Sequence, residues 1–89
     1  MHFEWDEAKR LANIDKHGLD FRDALFAFED PHLIAEARPM GMEHRWLLVG
    51  RLDGRHVSII FTRRGDAIRV ISMRRSRNEE RKRYEAVFG

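Results

Sequence analysis

Cysteine is absent from this chain of 89 residues. That excludes a disulfide framework and any thiolate metal site. No apolar run approaches the roughly 20 residues that a membrane span needs. The opening MHFEWDEAKR lacks the basic-then-apolar order of a secretory leader. There is no GxxxxGK[ST] or GxGxxG loop to cradle a nucleotide, and no elbow motif for a serine nucleophile. The histidines are His2, His17, His32, His44 and His56, and no two of them sit at helical i, i+3 or i, i+4 spacing. No acid-rich loop has calcium spacing. The expectation is a single cytoplasmic domain over residues 1–89 with no membrane contact, no metal and no cofactor.

Positive charge is abundant, and it is unevenly placed. Residues 1–44 carry a balance of −5 and residues 45–89 a balance of +7. The segment FTRRGDAIRVISMRRSRNEERKRY holds Arg63, Arg64, Arg69, Arg74, Arg75, Arg77, Arg81, Lys82 and Arg83 against Asp66, Glu79 and Glu80. Guanidinium is a planar fork that keeps its charge and grips phosphate bidentately. A small basic-faced domain therefore has a phosphate-bearing partner as its first reading, with a solvated, internally paired surface as the bland alternative.

The first half reads as helical. Asp6 can cap a helix running through His17, with Ala8, Leu11, Ala12 and Ile14 apolar and Gly18 placed to end it. Asp20 can cap a second helix in which Phe21, Ala24, Leu25 and Phe28 share a face, stopped by Asp30-Pro31. The second half reads as strands over residues 33–38, 45–52, 55–63 and 67–74, with Asp53-Gly54 as a two-residue hairpin turn. Ser76 with Glu79 predicts a capping box for a closing helix. The predicted fold is α+β: two N-terminal helices, a four-stranded, mainly antiparallel sheet and a C-terminal helix. The first two helices are expected on one sheet face and the last on part of the other. Phe3, Trp5 and Trp46 read as core or interface aromatics.

One reaction needs no metal and no protein nucleophile: RNA cleavage by its own 2′-hydroxyl. It requires a base, an acid and cations around the phosphate. Arg64 stands at a strand end beside Gly65. Arg69 and Arg74 lie five apart on one strand, so regular alternation sends them to opposite faces unless a bulge intervenes. His17, at a helix C-terminus, suits a general acid or merely caps the helix. Glu80 and Tyr84 are i, i+4 neighbours on the last helix, and Tyr84 either stacks on a base or packs on the sheet.

These residues together resemble the BrnT family of ribonuclease toxins from type II toxin–antitoxin systems. The likeness rests on FEWDEAKRLANIDKHGLDF, with Lys9, Asn13, Lys16, His17, Gly18 and Phe21, then Ala24, Phe28, Gly50, FTRRG, IRVISMR, Glu80, Arg81, Tyr84 and Glu85. The resemblance implies a RelE/ParE-like fold and endoribonuclease activity that arrests translation. It also implies a BrnA-like ribbon-helix-helix antitoxin, operator DNA contacted only through that antitoxin, and a dimeric state within the complex. On this reading the catalytic candidates are His17, Arg64, Arg74 and Glu80. The RNA-binding candidates are Lys9, Lys16, Arg69, Arg75, Arg81 and Tyr84. Arg63, where related sequences vary, is given no role. The alternative is a non-catalytic nucleic-acid-binding or antitoxin-binding module of the same fold.

Overall fold

The computed structural model describes all 89 residues. The chain begins with a strand, β1 (His2–Trp5), followed by α1 (Glu7–His17), a 3-10 turn (Phe21–Asp23) and α2 (Ala24–Glu29). Four longer strands come next: β2 (Leu33–Met40), β3 (Glu43–Leu52), β4 (Arg55–Arg64) and β5 (Ala67–Arg75). Helix α3 (Asn78–Phe88) closes the chain. The sheet order is β1-β5-β4-β3-β2.

The α+β class holds, but the sheet has five strands and is mixed, and the layout differs from the expected one. β1 pairs in parallel with β5, from His2 opposite Ala67 to Trp5 opposite Val70. Four residues with no turn signal around them give little local evidence of a strand, and β1 exists because β5 offers it a free edge. Its alternation sends Phe3 and Trp5 to the core, where Phe3 meets Phe28 edge-on at 5.2 Å. The expected second helix is also split. Asp20 caps the 3-10 turn by accepting from the Arg22 N–H, and the α-helix proper starts only at Ala24.

Other local rules act as their chemistry dictates. Asp6 accepts from the Lys9 N–H at 3.1 Å, and Gly18 ends α1 at φ 68°. Asp53 and Gly54 both take positive φ, 50° and 76°, as a twist-matched two-residue hairpin turn requires. Strand β2 runs past Pro39, which an edge strand tolerates, and a register shift lies between Ala37 and Met40.

Two faces result. The core face carries Leu48, Val57, Ile59, Phe61, Ile68, Val70 and Met73, covered by Phe21, Ala24, Ala27 and Phe28. Each large apolar side chain buried there contributes about 1.5–3 kcal/mol. Gly50 lets α2 approach β3: a Cβ at that position would stand 3.2 Å from Leu48 Cδ2 and 3.7 Å from the Ala27 carbonyl. No helix is long and apolar enough to cross a membrane.

Beyond Val70, β1 has ended and β5 has a bare edge. Asn13 of α1 fills that gap. Its side-chain oxygen accepts from the Met73 N–H at 3.2 Å, and its amide donates to the Leu19 carbonyl at 2.9 Å. One buried amide thus satisfies a strand edge and the exit of its own helix. Replacing Asn13 with Ala or Leu orphans the Met73 N–H and should cost about 1–3 kcal/mol in urea denaturation with the m-value unchanged.

Candidate nucleic-acid interface on the open sheet face

Ladder register places the remaining side chains. Phe61 pairs with Val70, but Ile60 pairs with Ser72, so Ile71 is an extra residue in β5. This bulge resets the alternation. Val70 and Met73, three apart, both face the core, and Arg69 and Arg74, five apart, share the opposite face. There Arg69 stands opposite Thr62, and Arg74 opposite Ser58.

Four cross-strand rows define this face. The first is His2, Ala67 and Arg64; the second is Glu4, Arg69 and Thr62. The third is Ser72, Ile60 and Leu47, and the fourth is Arg74, Ser58 and Val49. Arg45, two residues before Leu47 on β3, joins the same face beside Thr62.

Helix α3 occupies the fourth-row end. Glu80 receives both arms of Arg74, at 2.8 and 2.9 Å, the Ser58 hydroxyl at 2.9 Å and the Arg77 backbone N–H at 2.8 Å. Ser58 spends its proton on Glu80, so Ser76 donates to Ser58 across 2.8 Å. Ser76 is therefore part of a half-buried relay, and the cap falls one residue later than expected: Glu80 accepts from the Arg77 backbone N–H, while the Arg77 side chain, which has no acceptor, makes no cap bond in return. Tyr84 is buried, with His56 and Phe88 rings at 5.3 and 4.9 Å and the Arg51 guanidinium 5.4 Å over it. It packs on the sheet, leaving no free ring for a base.

These contacts set the electrostatics. The Arg74 guanidinium holds the Glu80 carboxyl down to about 2, helped by the Arg77 N–H and Ser58. Arg74 is in turn held above its ordinary range by Glu80. Glu80 is thus a strongly ionised anchor and a poor base near neutrality. At the other end of the molecule, Arg10 and Trp5 lower Glu7 to about 2. Asp20 also falls to about 2; burial works against this, but hydrogen bonds from Arg22 and Arg10 outweigh it.

The rest of the face is open and cationic. Arg64 is exposed and makes no hydrogen bond or ion pair within the protein. Arg69, with its side chain 26% exposed, makes no hydrogen bond, and its nearest acid is Glu4 at 4.0 Å. Arg45 is tied to Glu43 at 2.9 Å. Half-buried Ile60, Leu47 and Ser72 form the floor between these arginines and α3. Arg63 turns to the other face and lies 5.2 Å over Trp46, which also stacks on His44.

The other candidates lie elsewhere. Lys9, Lys16 and His17 are exposed on α1, and no hydrogen bond or ion pair joins them to the open-face arginines. Arg75 and Arg81 meet Arg55 and His56 in a separate polar cleft of about 260 Å³ beside the β3–β4 hairpin. Sequence reasoning missed Arg45, His2 and Glu4. The period-2 pattern His2-Phe3-Glu4-Trp5 was the signal for the last two. No three His, Asp or Glu side chains converge closely enough to hold a metal ion.

The fold and this face define a small α+β domain that offers guanidinium groups free of hydrogen bonds on an open sheet surface, a form suited to phosphodiester backbones. The chain matches, over residues 5–80, the family described as "Ribonuclease toxin, BrnT, of type II toxin-antitoxin system". It belongs to that family, whose activity implies an RNA substrate and an antitoxin partner. No curated protein matches it.

Glu80 also makes a pH prediction. Its folded-state pKa lies below the ordinary 4.5, so its stabilisation is full above that value and is lost as pH falls toward 2. Glu80→Gln should destabilise the protein by about 2 kcal/mol at pH 7. Urea titrations of variant and parent should converge as pH drops through that window.

Proposed function

We propose that this protein is a metal-independent endoribonuclease that cuts RNA through its own 2′-hydroxyl. The observation that carries this reading is the open face itself: Arg64 and Arg69 present guanidinium groups with no hydrogen-bond partner of their own, on a floor of Ile60, Leu47 and Ser72. Such donors suit the non-bridging oxygens of a phosphodiester and the extra charge that builds on them as the 2′-oxygen attacks. The products are a 2′,3′-cyclic phosphate and a 5′-hydroxyl. DNA, lacking the attacking group, is spared.

Arg74 and Glu80 enter this mechanism as positioning residues. Their bidentate pair fixes α3 on β5 and so sets the boundary of the open face. Arg75 and Arg81, with Arg55, give the RNA strand a second phosphate contact beyond the hairpin. Lys9, Lys16 and His17 extend positive charge onto α1, and His17 is a less favoured proton carrier because it stands apart from Arg64 and Arg69.

In the cell this activity would lower translation and arrest growth in the cytoplasm. A BrnA-like ribbon-helix-helix antitoxin would neutralise it, carry the complex to operator DNA and bridge two copies of the toxin. An acidic segment of the antitoxin would compete with RNA for the same arginines.

The test is cleavage of a single-stranded RNA in excess EDTA, beside the all-deoxy strand of the same sequence. The expected outcome is cleavage of RNA alone, undiminished by chelator, with a cyclic phosphate end. Arg64→Ala and Arg69→Ala should each lower kcat/KM by roughly 100-fold or more, with unchanged unfolding midpoints. Loss of cleavage in EDTA would remove the metal-free mechanism. Binding without cleavage would favour the non-catalytic module.

A further inference from the structure

The reaction just described needs an acid and a base, and the arginines supply neither. Of the acids and bases on the open face, Glu80 is engaged by Arg74, Ser58 and Arg77, Glu43 is bound twice by Arg45, and His56 accepts from Arg51 and packs against Tyr84 beneath α3. Two groups remain, both on β1. Phe3 and Trp5 pack into the core, so alternation turns His2 and Glu4 outward to the arginine side. Glu4 Oε2 is 4.0 Å from Arg69 Nη1, in the row that continues to Thr62. His2 heads the adjoining row, with Arg64 at its other end and only the Ala67 methyl between. Two strand spacings put His2 and Arg64 backbones about 10 Å apart, and His2 and Glu4 are about 7 Å apart along β1. A phosphodiester gripped by Arg64 and Arg69 therefore lies within side-chain reach of both.

We infer that His2 and Glu4 are the proton-transfer pair of this site, a proposal that rests on the ribonuclease reading. The Glu4 carboxylate takes the proton of the 2′-hydroxyl as its oxygen bonds to phosphorus. The bond from phosphorus to the 5′-oxygen breaks, and the His2 imidazolium gives its proton to that leaving oxygen. Glu4 ends protonated and His2 neutral, and exchange with water resets both. The charged groups that face His2 are Arg64 across the row, Glu4 and the chain's amino group on its own strand, and Arg69 diagonally.

The experiment compares the parent, His2→Ala and Glu4→Gln, all without an N-terminal tag. Two quantities are measured: single-turnover cleavage of a short RNA, and binding of its 2′-O-methyl analogue, which cannot react. The proposal expects each variant to cleave roughly 100-fold or more slowly with unchanged binding, and added imidazole to restore part of the His2→Ala rate. His2→Ala cleaving at the parent rate would overturn it. So would a loss of binding that matches the loss of rate, because His2 would then hold RNA rather than move protons. A parent protein that binds RNA and cuts none would refute the ribonuclease reading itself, and this proposal with it.

Discussion

One extra residue in β5 organises the cationic surface. Without Ile71, strand alternation would turn either Arg69 or Arg74 into the apolar layer formed by Val70, Met73 and Phe61. Burying an unpaired guanidinium there would cost several kcal/mol. The bulge lets Val70 and Met73 fill the core together and sends both arginines to the opposite face. It lies beyond the end of β1, where β5 has lost its parallel neighbour and Asn13 takes over one edge N–H. The core, the sheet edge and the cationic face thus depend on the same irregularity.

The two arginines then serve different ends. Arg74 is spent within the protein: its charge is matched by Glu80, which also collects Ser58 and the first N–H of α3. That network fixes the last helix and keeps Tyr84 against the sheet. Arg69 has a single distant acid, and Arg64 has none. A phosphate approaching this face meets donors with no side-chain hydrogen bond to give up. Desolvation of those donors is already partial for Arg69, which strengthens its pull on an anion. The division follows from position, since Arg74 lies under α3 and Arg69 lies beyond its reach.

Much of the fold was legible because local chemistry dictated it. Asp6, Gly18 and Asp53-Gly54 act as cap, stop and turn where their side chains and backbone freedom require. The apolar runs of β3, β4 and β5 declare buried strands. β1 was not legible in that way, since its pairing partner lies more than sixty residues on and its four residues precede a strong helix cap. The candidate site was legible as a list of arginines, and less so as an arrangement. The bulge at Ile71 carries no sequence mark such as glycine, and it alone decides whether Arg69 and Arg74 share a face. The Ser76 cap was misjudged by one residue because Ser58, eighteen residues earlier, competes for its hydroxyl. His2 and Glu4 went unread with the strand that carries them.

The account's central claim is that RNA lies on the open face bounded by β1, Arg64, Arg69 and α3. Photocrosslinking tests it most directly, using a 2′-O-methyl RNA that carries 4-thiouridine and peptide mapping of the adducts. The account predicts crosslinks to residues of the open face on β1, β4 and β5, among them Thr62, Ile60 and Ser72. Crosslinks confined to α1, or to the cleft around Arg55 and Arg81, would contradict it.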